Sequence, residues 1–142
     1  MASFDKKKMA ALLNKALAME HQADLQYLTH ASVIQGINAE PIIARLNEIA
    51  KDEEKHAGML RERIADGLGE NPTMEVAKTY MESDIEKVLR LNLKFELEAI
   101  DTYRAIHAQI PGEEFLLEHE VRHILQDEMR HAEELKLLLG EL

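Results

Sequence analysis

Apolar residues return every three or four positions along most of the chain, and the places where that rhythm stops divide it into four stretches. The first runs through Leu12, Leu13, Ala16, Leu17, Leu25 and Leu28 to Ile34. With Ser3 placed to cap it, it predicts a helix over about residues 4–35. Gly36 and Asn38 interrupt the pattern. Pro41, which suits a first helical position, then opens a second helix over about 40–65, ahead of Gly67 and Gly69. The stretch over about 66–82, past Asn71-Pro72, is irregular. Ser83-Asp84-Ile85-Glu86 has the spacing of a capping box and starts a third helix, about 83–109, which Pro111-Gly112 stops. The fourth helix covers about 113–139.

Short connections between the first two helices and between the last two predict two antiparallel hairpins. Between the hairpins lie about 15 residues, which at up to about 3.3 Å each cover the roughly 40 Å of a helix of about 27 residues. The predicted architecture is all-α: a single domain over 1–142, a four-helix bundle whose hairpins are joined by one long crossover.

Composition narrows the chemistry. Aromatics are only 4% and Leu, Ala, Met, Glu and Lys dominate, which favours long helices over a sheet. There is no Cys, so a bound metal must rely on carboxylate and imidazole. A net charge of −10 argues against nucleic acid or an anionic membrane as partner and favours cations. Lys6, Lys7 and Lys8 read as a solvated first turn. With neither a signal-peptide run nor a membrane-length apolar stretch, the expected location is cytoplasmic.

Two Glu-x-x-His motifs, Asp52-Glu53-Glu54-Lys55-His56 and Asp127-Glu128-Met129-Arg130-His131, stand 75 residues apart on the second and fourth helices. Residues three apart share a helical face, so each motif aims a carboxylate and an imidazole at one point. The first and third helices echo each other at a shift of 76: Glu20, Ala23 and Tyr27 match Glu96, Ala99 and Tyr103. The chain reads as two copies of one hairpin. The four glutamates lie 15 to 18 residues from the turn of their own hairpin, at Asn38 or Pro111, and so meet at mid-bundle within about one turn. Burying four ionised carboxylates beside two weak bases requires compensating cations. Two divalent metals, held by Glu20, Glu53, His56, Glu96, Glu128 and His131, meet that need. Iron suits the donors, and manganese and zinc are also accepted.

An Asp precedes each motif. Asp52 is expected to serve His131 and Asp127 to serve His56 across the interface, since a ligating imidazole donates its other N–H to a carboxylate or carbonyl. Tyr27, two turns from Glu20, is a candidate to hydrogen-bond a ligand or donate an electron, and equally a core aromatic. The same holds for Tyr103. Asp24 is expected at the watery margin of the stripe, and Glu98 toward solvent. His21, His30, His107 and His119 are expected on polar faces or at ends. A third Glu-x-x-His, Glu120 with His123, has no echo and is rotated by about 80° from Glu128.

These residues resemble the ferritin-like superfamily, and bacterioferritin most closely, over nearly the whole chain. The resemblance is carried by Leu13-Asn14-Lys15 leading to Glu20 and Tyr27, and by His56-Ala57 running to Arg61-Glu62-Arg63-Ile64. It continues in Glu96 followed by Tyr103-Arg104, and in Ile124-Leu125-Gln126-Asp127-Glu128. It implies a di-iron site with Glu53 and Glu128 bridging, Glu20/His56 and Glu96/His131 each completing one metal, and Tyr27 as the near-site tyrosine. It also implies ferroxidase activity with dioxygen or peroxide as oxidant, for storage or detoxification, in a homo-oligomer. Bacterioferritin carries a haem-binding Met after the second-helix glutamate. Here Glu54 stands there, and no haem is expected. No counterpart of its short fifth helix follows the fourth, so a cage and a small oligomer both stay open. Rubrerythrin-like peroxidases carry a Cys centre and a further third-helix glutamate where this chain has Ala99. That reading, a di-metal oxidase of organic substrates, and a non-catalytic metal-binding bundle are the alternatives.

Overall fold

The computed structural model describes residues 4–141. Four long helices follow in order: α1 (Lys6–Val33), α2 (Ala39–Glu62), α3 (Ile85–His107) and α4 (Phe115–Leu139). Among the described residues there is no strand. α1 packs along α2 and α3 along α4 as the two hairpins, and α1 also packs against α3 and α2 against α4.

The helix ends follow local chemistry, with small departures from expectation. Asp5 caps α1 by accepting from the Lys8 N–H at 3.0 Å, while Ser3 lies outside the described residues. α2 begins at Ala39, which puts Pro41 in its first turn rather than at its first position. It ends in a π-helical turn over Arg63–Gly67. At α3 the cap is Asp84, one residue beyond the expected Ser83, accepting from the Lys87 N–H at 3.0 Å. Asp lies in phase to reach that N–H, and Ser83 is held instead by its own N–H bond to the Glu82 carboxylate. α4 stops at Gly140, whose φ of 74° returns its N–H to the last turn. That left-handed backbone favours glycine.

Two apolar cores fill the bundle, one on each side of its midpoint. The first centres on Leu13, Leu17, Leu60, Ile64, Ile106 and Ile124. The second centres on Ala31, Leu46, Ile49, Val88, Leu89 and Leu135. Between them sits a buried polar layer.

The crossover, residues 68–84, has no regular secondary structure yet is laced to α1. Asn14 donates to the Asn71 carbonyl at 3.0 Å and accepts from the Thr73 N–H at 2.8 Å. Farther along, His21 bonds the Glu75 carbonyl at 2.7 Å, Ala77 donates to the Ala18 carbonyl at 3.0 Å, and Gln22 donates to the Lys78 carbonyl. Gln26 accepts from the Tyr80 N–H at 2.8 Å, and His30 donates to the Tyr80 carbonyl at 2.8 Å. A chain without its own ladder must place its backbone groups somewhere, and here α1 side chains receive them. His30 is therefore fully buried, contrary to the expectation of a polar-face position.

Candidate metal centre

The polar layer is built from all four helices. Glu20, Glu53, His56, Glu96, Glu128 and His131 are each no more than 2% exposed. Helical spacing puts Glu53 beside His56 on α2 and Glu128 beside His131 on α4. Pairing between the antiparallel helices then brings the two motifs face to face, with the imidazole centroids 6.2 Å apart.

Each imidazole is held from behind. His56 Nε2 lies 2.8 Å from Asp127 Oδ2, and His131 Nε2 lies 2.8 Å from Asp52 Oδ2. A carboxylate accepts, so Nε2 carries the hydrogen and Nδ1 points inward in both rings. His56 Nδ1 faces Glu53 Oε1 and Glu128 Oε1, each at 3.1 Å, and Glu20 Oε1 at 3.7 Å. His131 Nδ1 faces Glu128 Oε1 at 3.5 Å and Glu53 and Glu96 Oε1 at 3.6 Å. Glu53 and Glu128 thus face both imidazoles, whereas Glu20 and Glu96 each face one. The donors form two overlapping groups, Glu20, Glu53, His56, Glu128 and Glu53, Glu96, Glu128, His131, with ligand atoms within 4.8 Å of one another in each.

The tyrosines complete the same cross-weave. Tyr27 donates to Glu96 Oε1 at 2.7 Å, and Tyr103 donates to Glu20 Oε1 at 2.6 Å. Each phenol from one hairpin holds the carboxylate of the other. The remaining oxygens, Glu20 Oε2 and Glu96 Oε2, are left without a partner.

That pattern extends to the whole cluster. Among the described residues eight buried side-chain atoms lack a hydrogen-bond partner, and six of them come one each from the six cluster residues. The other two, Arg63 Nε and Glu120 Oε2, lie 3.3 Å apart as an ion pair. Buried polar atoms are otherwise almost always paired. Six orphans aimed at one small volume are the arrangement that cations satisfy, and the oxygen and imidazole donor set fits two ions.

Electrostatics agree. Burial, with the Glu128 charge next, pushes the Glu20 carboxyl up to about 7 and the Glu96 carboxyl up to about 8. Glu53 is raised well above the usual range by burial and by its three carboxylate neighbours. Burial also works against ionised Glu128, but hydrogen bonds to His131 and His56 outweigh it and hold that carboxyl low. For the imidazoles burial alone favours the neutral form. The Asp127 bond and the crowd of glutamates still carry His56 far up, and Glu128 and Glu96 raise His131 to about 11. Without cations, then, protons gather here in their place.

The remaining candidates lie apart. Asp24 is half-buried at the rim, its carboxyl raised by burial and by Glu54. Glu98 is exposed. Glu120 pairs with Arg63, and His123 sits 3.4 Å from Asp127, so the third Glu-x-x-His stays outside the cluster. A feature not anticipated from sequence is the buried network beside the centre. Gln26 donates to Asn92 Oδ1 at 3.1 Å, and Asn92 donates to His30 Nδ1 and the Val88 carbonyl, each at 2.9 Å. Its signal was Gln22, Gln26 and His30 at four-residue intervals, a polar stripe on a second face of α1.

Fold and site together define a helical bundle with a carboxylate and imidazole centre able to hold metal ions. The Ferritin family model, described as a ferritin-like domain, matches residues 10–142, and the chain belongs to that family. The structure is similar to a dodecameric thioferritin, the bacterioferritin-related protein from Bacteroides fragilis. Identity is 25%, the match covers 97% of this chain and 88% of that one, and the TM-score is 0.89. It is also similar to a ferritin-like, diiron-carboxylate protein from Bacillus anthracis str. Ames, at 28% identity, 97% and 99% coverage and a TM-score of 0.90.

Proposed function

We propose that this protein oxidises ferrous iron, with Glu20, Glu53, His56, Glu96, Glu128 and His131 holding a pair of ions and dioxygen or peroxide as the oxidant. The observation that carries the reading is the set of six orphaned donor atoms, one from each residue. The diiron-carboxylate relative from Bacillus anthracis supports iron over manganese or zinc.

The ferrous ions are the substrate. Each gives up one electron, and peroxide takes two electrons and two protons to become two waters. Glu53 and Glu128, which face both imidazoles, are suited to span the pair. Glu20 with His56, and Glu96 with His131, are suited to complete one ion each. Asp127 and Asp52 fix the imidazoles with Nδ1 inward, and the phenols of Tyr27 and Tyr103 hold the outer glutamates by one oxygen and leave the other for an ion. Four carboxylates balance the charge of two divalent ions and still favour the ferric product.

Anaerobic titration with ferrous iron is expected to saturate at two ions per chain, and stopped-flow mixing with oxidant to give rapid ferric absorbance. Glu53→Ala or Glu128→Ala should abolish that phase. Wild-type kinetics in either variant would refute the assignment.

We further read the protein as a cytoplasmic homo-oligomer serving iron storage or detoxification. Its support is that the Bacteroides fragilis relative is described as dodecameric, and that no helix among the described residues is long and apolar enough to cross a membrane. Native mass spectrometry decides the assembly.

A further inference from the structure

The layer of carboxylates is not sealed equally on its two sides. Toward α2 and α4 it is closed by the two imidazoles, each braced by an aspartate. Toward α1 and α3 lies a cavity of about 20 Å³, whose walls include Met19 and Ala23 from α1 and Phe95 and Ala99 from α3. The same cavity is lined by Glu20, Glu53, Glu96 and Glu128. Met19, Ala23 and Phe95 are only half-buried, whereas the carboxylates are fully buried, so the cavity links the outer face of the bundle to the centre.

Two of its apolar lining side chains are small and stand at matching places. Ala23 follows Glu20 by three residues and Ala99 follows Glu96 by three, so each methyl sits beside a glutamate on the same helical face. The amides at the edge are already engaged: Gln26 with Asn92 and the Tyr80 N–H, Gln22 with the Lys78 carbonyl. A volume of that size admits about one water-sized molecule. A hydrated cation, with its shell of waters, is larger than that volume, whereas a neutral diatomic or hydrogen peroxide is close to it in size.

We propose that the gap between Ala23 and Ala99 is the port by which a small neutral oxidant reaches the centre, and that Met19 and Phe95 set the upper size of that oxidant. The inference rests on the ferrous oxidation argued above and specifies its second substrate. Hydrogen peroxide enters, its O–O bond breaks, two ferrous ions supply two electrons, and two protons complete two waters. A bulky hydroperoxide would undergo the same cleavage to an alcohol and water but is too large for the cavity.

Three measurements on wild type, Ala99→Leu and Phe95→Ala test it: cobalt(II) titration, anaerobic association of nitric oxide with the ferrous-loaded protein, and single-turnover ferrous oxidation by hydrogen peroxide or tert-butyl hydroperoxide. Ala99→Leu is expected to keep two cobalt ions per chain while slowing nitric oxide association and peroxide reaction by about tenfold or more. Phe95→Ala, which removes bulk together with the ring's packing on Tyr80, should raise the rate with tert-butyl hydroperoxide relative to hydrogen peroxide by about tenfold. Wild-type nitric oxide association in an Ala99→Leu protein with full cobalt stoichiometry would overturn the port. So would an unaltered peroxide preference in Phe95→Ala. If wild type binds cobalt and nitric oxide but oxidises no iron, the ferrous-oxidation reading fails, and the nitric oxide comparison still decides the port.

Discussion

His56 and His131 each use one nitrogen to stay in place and offer the other to the centre. The division of labour depends on Asp127 and Asp52. Asp127→Asn replaces an acceptor by an amide that can present the wrong group to Nε2. Loss of such an outer partner typically costs 10- to 100-fold in metal affinity, about what cobalt(II) titration should show here. Asp52 is half-exposed where Asp127 is largely buried, so Asp52→Asn should cost less in the same assay. At this scale the sequence was most readable for the six donors, because two Glu-x-x-His motifs and two matched glutamates recur at nearly one interval. The phenols were candidates to bond a ligand, but their partners were not readable. That Tyr27 meets Glu96 and Tyr103 meets Glu20 depends on the antiparallel register of α1 against α3, which no local spacing carries.

Among the elements, α1 is the most heavily committed. One face enters the apolar cores, a second carries Glu20 and Tyr27, and a third receives the crossover through Asn14, His21, Gln22, Gln26 and His30. A helix with three engaged faces has a weak apolar stripe, which is why its length was legible and His30 was misplaced on a polar face. The ends of α2 and α3 moved by one or two residues, the ordinary spread of a helix boundary, where the last turns are held by few bonds. Gln26→Leu leaves both the Tyr80 N–H and Asn92 Oδ1 without partners. Tyr80 is exposed and water can replace its lost partner, but Asn92 is buried, and a buried unpaired group costs about 1–3 kcal/mol, so chemical denaturation should reveal a loss of about that size. Amide exchange at Tyr80 should quicken in the same variant, and an unchanged rate there would mean the lacing contributes nothing to holding the crossover.

For the molecule as a whole, the charge layer links stability to pH. In the metal-free fold Glu20 and Glu96 keep a proton up to about pH 7 and about pH 8, against an ordinary value of 4.5. His131 keeps its extra proton to about 11, against 6.5. Across this interval the folded chain binds more protons than the unfolded chain, so stability falls as pH rises. The depressed groups, Asp127 and Glu128, act in the opposite sense but only below their ordinary values of 3.8 and 4.5. The melting temperature of metal-free protein is therefore expected to drop between pH 5 and pH 8. Zinc, which replaces those protons without redox chemistry, should remove or reverse the slope. Calorimetry showing a rising melting temperature in the metal-free protein would contradict the charge balance described here.

The four hydrogen bonds that brace the central layer each run from one hairpin to the other: Tyr27 to Glu96, Tyr103 to Glu20, Asp127 to His56, Asp52 to His131. Neither half owns a finished set of donors. The seam where two ancestral-looking halves meet and the place where chemistry happens are one and the same. A lone hairpin would be half a lock without its key, and a substitution that favours one half gains nothing unless its twin can still answer it.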